Sequence, residues 1–295
     1  MKGCHWPGWA LLVWFLALPL HAAIVNPNHL YQETERLQQR LALLRQKAGL
    51  PAEIPQPGIQ DNKLPIHLYI KAGEVHDYAA ALQQARGLTP SAPLPLPDAS
   101  VRPNMVMDPL QQIEQQLDSL LTASQIPLPS DEPEMPLGKS TNDVYRALWQ
   151  LANGFDGLVP AAGNAQIIAA LTQVQSGLAP LAKQLGKTLP TPSAEAASDK
   201  TPLDNNLVAY QCLHLMGRLL RQLNIEPTAP SHFPVGSISH QQVYDSALNL
   251  LAEVQKARAS LGITDALPAA APHQADDNQI YAQLGQLRAT LLALL

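Results

Sequence analysis

Two cysteines and three phenylalanines in 295 residues leave little material for a disulfide framework or an aromatic core. Cys4 precedes an apolar N-terminal run, so the remainder of the chain carries Cys212 alone, and a lone cysteine closes no internal disulfide. Cys212 falls in an apolar helical stretch, where a buried, unreactive thiol is expected. Charged residues make up only 15%, the net charge is −5, and no basic cluster occurs, which argues against nucleic acid as a partner. No GxSxG, no Gly-rich phosphate loop and no cysteine in a reactive setting is present, so nucleophilic catalysis has no support. His29, His67, His76, His214, His232, His240 and His273 show no HExxH spacing and no completing ligand set, so no metal is expected. No cofactor is expected either.

Long apolar runs are confined to the start. MKGCHWPGWALLVWFLALPLHAA has one Lys, an apolar run from Ala10 to Leu20, and small residues at Ala22 and Ala23. This is the layout of a secretory signal peptide spanning residues 1–23, cut after Ala22 or Ala23. No transmembrane segment is expected after its removal. The expected location is exported, periplasmic or secreted.

What the chain has in quantity is proline, 27 residues, and internal repetition. Asn26–Tyr31 reads NPNHLY, Leu64–Tyr69 LPIHLY, Arg102–Met107 RPNMVM and Ser140–Tyr145 STNDVY, each starting 38 residues after the last. Four looser matches start at Gly163, Leu203, Ser239 and Asp276. Each has the chemistry of a helix start. Ser, Asp or Asn in first position accepts from the free N–H groups of the first turn. Pro27, Pro65 and Pro103 suit the first helical residue, where no N–H is needed. Ser239 with Gln242 fits a capping box.

An apolar stripe spaced 4-3-4-3 follows. It runs Leu30, Thr34, Leu37, Leu41, Leu44 in the first unit and Leu68, Ala72, Val75, Ala79, Leu82 in the second. The same spacing recurs from Ile167, Val243 and Ile280, and it keeps one face of a helix apolar. Gly49, Gly87, Gly186, Gly262 and Asn224 suit a left-handed helix ending, and Leu50, Leu88, Ile263 and Ile225 follow four of them with the apolar contact of a Schellman ending. The stripe and the endings predict an all-α fold, an array of about eight similar helices of roughly 20 residues, each about 33 Å long.

The Pro-rich linkers favour extended backbone reaching roughly 45 Å, more than a helix length, so a linker has room to return to its starting end. Parallel and antiparallel packing both remain open. Only 23 residues separate the fourth and fifth starts, which predicts a short loop, an antiparallel pair, and a division into four-helix halves at 24–160 and 161–295. Two units depart from the pattern. Pro109 is expected to break the third helix, moving its start to Asp108-Pro109. The sixth stripe reads Val208, Cys212, Leu215, Leu219.

Tyr31, Tyr69, Tyr145, Tyr244 and Tyr281 share one repeat position. They are candidates for an aromatic binding row, weighed against rings that pack at helix contacts while their hydroxyls meet linker backbone. Asp131, Glu132 and Glu134 sit among prolines as a solvated linker. Export, repetition and the missing catalytic constellation point to a non-enzymatic binding or scaffolding protein of the bacterial cell envelope, with an unidentified protein partner. The alternative is a small-ligand sensor or carrier, with a pocket between the halves lined by Tyr210, Trp149 or Phe155.

Overall fold

The computed structural model describes residues 25–56, 61–98, 100–191, 197–228, 232–268 and 270–295. The expected leader and its cleavage point lie outside these residues. Among the described residues the chain forms eight helices and no strand: α1 (Pro27–Lys47), α2 (Pro65–Ala85), α3 (Pro103–Ala123), α4 (Thr141–Asn153), α5 (Asn164–Gln184), α6 (Pro202–Gln222), α7 (His240–Ser260) and α8 (Asp277–Leu294).

Each end forms for a local reason. Asn26, Ser140, Thr201, Ser239 and Asp276 cap their helices through side-chain oxygens. The His29 and His67 rings serve the same purpose, each accepting the N–H of its own N-cap residue at Nδ1. At the other end Gly49, Gly87, Gly186, Gly262 and Asn224 all take positive φ. The next N–H then reaches back to a carbonyl of the last turn, as Leu50 does to Arg45 and Ile225 to Leu220. Gln125 closes α3 in the same conformation.

The stripes predicted for α1, α2 and α8 are buried throughout, as are all but the last residues of those on α5 and α7. Each fully buried Leu or Ile contributes roughly 1.5–3 kcal/mol relative to exposure. They gather into two cores, one from α1–α4 and one from α5–α8. In the first set α1 and α2 each pack on both α3 and α4, and in the second α5 and α6 each pack on both α7 and α8. Among the described residues α1 does not touch α2, nor α5 touch α6.

Helices within a set run parallel, which settles the direction the sequence left open. The Lys63 N–H at the start of α2 donates to Asn142 Oδ1 at the start of α4 (2.8 Å), and Lys139 before α4 donates to Asn28 at the start of α1 (2.8 Å). At the far ends Gln83 of α2 meets Ser119 of α3. In the second set Lys200 before α6 donates to Asn278 of α8 (3.0 Å). Every linker within a set therefore carries the chain back to the end at which its helix began, which only an extended segment of that length can do.

Three expectations are corrected. The third helix runs through Pro109 from Pro103; the lost N–H bond is offset by burial of Val106, Leu110, Ile113 and Leu117 on either side. The sixth begins at Thr201-Pro202 rather than Leu203, because Thr201 caps the Asp204 N–H and Pro202 takes the first helical position. The fourth and fifth helices, expected to pair, make no contact among the described residues. α4 stops after 13 residues, and the connector that follows reverses the chain. Arg45 of α1 holds this reversal by donating to the carbonyls of Gly154, Asp156 and Pro51. Gly154 is pressed so close to α1 that a Cβ there would stand 2.6 Å from Leu41 Cδ2.

Candidate ligand cleft between the bundles

The two bundles meet through α2 and α7. Lys63 bonds Asn249, Lys71 bonds Asp245, and Tyr78 bonds Gln241, so the partner number falls as the α2 number rises and the two helices cross antiparallel. The seam is polar for most of its length, an uncommon choice given what burying charge costs. Lys71 is 1% exposed and donates to Glu74 Oε2 (2.6 Å) and Asp245 Oδ1 (2.7 Å). Gln241 donates to the other oxygen of Glu74 (2.7 Å), and Trp149 Nε1 donates to Asp245 Oδ2 (3.2 Å). Further along, His67 Nε2 lies 3.3 Å from Glu253 Oε1, and Lys256 and the Thr228 N–H also serve Glu253.

These neighbours set the protonation of the seam. Burial works against the Lys71 charge, but Asp245 and Glu74 outweigh it and hold the ammonium well above its ordinary range. Burial raises Glu74 against the pull of Lys71, and the charge of Asp245 adds to the rise. Burial, then the Lys71 charge, brings Lys63 down to about 8. Burial opposes ionisation of Glu253, yet the His67 bond and the charges of His67 and Lys256 hold it below the usual carboxylate range.

A cleft opens on each side of the seam. One, of about 620 Å³, is walled by Trp149, Phe155 and Tyr78 from the first bundle and by Gln241 and Asp245 of α7. The connector from Asp156 to Gly163 forms its rim. The rings of Tyr78 and Phe155 are 5.9 Å apart, and the Asn153 amide nitrogen is buried without a partner. The second cleft, of about 650 Å³, lies between α2, α5 and α7 under the Pro90–Leu96 linker. Both volumes are in the range of small-molecule sites, and the first combines apolar walls with a few polar groups, as such sites do.

The five repeated tyrosines do not form one row. Tyr69 and Tyr244 line the second cleft together, and the Tyr69 hydroxyl donates to the Pro95 carbonyl of the linker (2.9 Å). The other three take part in a device that repeats. Lys139 covers the Tyr31 ring at 3.9 Å, Lys63 covers Tyr145 at 4.7 Å, and Lys200 covers Tyr281 at 4.5 Å. The same lysines are those whose N–H groups bond Asn28, Asn142 and Asn278, each three residues before its tyrosine. One linker residue thus grips a neighbouring helix twice, once by backbone and once by ammonium. The signal stood in NPNHLY, STNDVY and DDNQIY, which share Asn and Tyr at fixed places, but the lysine partner comes from another unit.

Of the three pocket residues expected from the sequence, Trp149 and Phe155 line the first cleft. Tyr210 does not; it lies on the outer face of α6, edge-on to Phe233, with its hydroxyl donating to the His232 carbonyl. Cys212 is buried, its thiol pushed up to about 12 by burial, so it stays protonated. Glu132 of the linker pairs with Arg36 at 2.9 Å while remaining 75% exposed. No family model, curated protein or solved structure matches the chain.

Proposed function

We propose that the chain is an exported, non-enzymatic binding protein of the bacterial cell envelope that takes a small ligand between its two bundles. The first cleft carries this reading: about 620 Å³, with Trp149, Phe155 and Tyr78 as apolar walls and the unpartnered Asn153 amide as a polar anchor. The charged groups that converge on the seam are engaged with one another, which suits a framework that holds a cleft open better than one that moves protons. The leader layout of residues 1–23 supports export.

Trp149 is the one tryptophan outside the leader, so its emission reports on the cleft. Titration with the amphiphilic anionic dye 1-anilinonaphthalene-8-sulfonate is expected to quench Trp149 by energy transfer, saturably and with one dye per chain. Ala161→Phe, which places a ring in the cleft, abolishes that binding with the helical circular dichroism unchanged. Absence of saturable binding, or binding indifferent to Ala161→Phe, would refute the cleft. Export is tested separately: the mature protein in an envelope fraction begins at Ala23 or Ile24, whereas a cytoplasmic protein retaining Met1 sinks it.

A second surface suits a scaffolding role. Leu203 and Leu207 stand exposed on the outer face of α6, where a protein partner gains by covering them.

A further inference from the structure

The two bundles follow one plan at a fixed offset. α1 and α5 begin at Pro27 and Asn164, α2 and α6 at Pro65 and Pro202, and α3 and α7 at Pro103 and His240, in each case 137 residues apart. The seam, however, joins unlike members of the plan, α2 of the first bundle and α7 of the second. The counterparts of those two helices, α6 and α3, therefore keep their equivalent faces free of the other bundle among the described residues.

Their equivalent faces share two sets of residues with the joined ones, one apolar and one polar. On α2, Ile66 and Ile70 are 7% and 6% exposed, and with Leu96 of the next linker they pack into the core of the second bundle. The same places in the second bundle hold Leu203, Leu207 and Phe233, exposed at 45%, 45% and 37%. On α7 the groups that bond α2 are Gln241, Asp245 and Asn249. The same places on α3 hold Asn104, Asp108 and Gln112, all exposed: carboxamide, carboxylate, carboxamide in the same order.

We propose that a second copy of this chain lays its α3 antiparallel across α6, repeating between molecules the α2–α7 junction that exists within one. Such a contact joins two different surfaces, so each added copy still offers one free α3 and one free α6. The product is a head-to-tail chain or a closed ring, not a two-fold dimer. The match is incomplete where the internal seam is charged or hydrogen-bonded, since Val208, Gln211, Leu215 and Asp204 stand at the places of Lys71, Glu74, Tyr78 and His67, and this sets its strength. Val208, which is buried, stands where Lys71 stands on α2, so the incoming Asp108 finds no ammonium. The junction between copies is weaker than the internal one and forms with rising concentration.

Sedimentation velocity tests this on the purified protein from micromolar to millimolar concentration. The expected result is growth beyond the dimer as concentration rises. Leu203→Gln with Leu207→Gln abolishes it, and Asp108→Asn strengthens it several-fold by removing a charge that burial disfavours. The decisive arm is a mixture. The Leu203→Gln, Leu207→Gln chain keeps its α3, and an Asn104→Arg, Gln112→Arg chain keeps its α6. Each is monomeric alone, and together they give a one-to-one dimer that grows no further. A monomer at millimolar concentration, a dimer that closes at two copies, or blocked chains that fail to pair would each overturn the proposal. Circular dichroism of every variant separates loss of contact from loss of fold.

Discussion

Lys71 and Asp245, 174 positions apart in the chain, meet at 2.7 Å in the seam between the bundles. Replacing Lys71 by Met leaves Glu74 and Asp245 buried together without a cation. The expected loss is about 3–5 kcal/mol, the usual result of removing one partner from a buried ion pair. Urea unfolding measures it. Because Asp245 also accepts from the Trp149 indole, the native emission of Trp149 shifts in the same variant. A loss below about 1 kcal/mol would mean the triad is more solvated than its geometry shows.

Of the three lysine–asparagine–tyrosine grips, those on α4 and α8 occupy equivalent places in the two bundles. Asn142→Ala and Asn278→Ala each remove the acceptor for a linker N–H. Each should cost about 1 kcal/mol, and the two losses should add, since the sites lie in different bundles. Thermal or urea midpoints of the single and double variants check both points.

Two helical glycines predict opposite signs for one substitution. A Cβ on Gly285 of α8 meets nothing within 4 Å, so Gly285→Ala should stabilise by up to about 1 kcal/mol through helix propensity. A Cβ on Gly177 of α5 would lie 2.7 Å from Val254 Cγ1 of α7. Gly177→Ala therefore forces the two helices apart, and a net destabilisation of about 1–2 kcal/mol is expected despite the same gain in propensity. Equal effects at the two positions would contradict the close approach of α5 and α7.

Acid should weaken the seam through His67. Burial lowers its pKa, the Lys63 charge adds to that, and the Glu253 bond opposes without outweighing them. A folded pKa below the unfolded value means that the unfolded chain binds the proton first as pH falls below about 6.5. Stability then declines with falling pH through that region until the folded-state value is reached. Urea midpoints at pH 7.5 and 5.5, compared between the native chain and His67→Gln, should show a smaller decline in the variant. Glu253 acts lower still: its depressed folded value gives stability that is lost as pH falls below the ordinary carboxylate range.

The helices, their caps and their stripes were legible because each is a local pattern, closed within one unit. Ser239 with Gln242, and Gly49 with Leu50, need no knowledge of the rest of the chain. The sixth start was misplaced by two residues because Leu203 imitates an apolar start residue; Thr201-Pro202 with Asp204 carried the better capping chemistry. The cleft was partly legible, since Trp149 and Phe155 are among the few aromatic rings available. The seam was not legible. Lys71 and Glu74 resemble any solvated pair on a helix face, and nothing local marks Asp245 as their partner. Burial of charge is decided by how the bundles meet, which no single unit encodes.

Parallel order within each bundle has a consequence for how the protein is made. α1 packs on α3 and α4 but not on α2, so the helix that leaves the ribosome next is not the one it packs against. An up-and-down bundle gains contacts with each hairpin as it emerges; here the first core waits for residues more than fifty positions downstream. High contact order of this kind slows folding relative to ordinary helical bundles. A chain that must stay unfolded to pass through a membrane channel would gain from that delay.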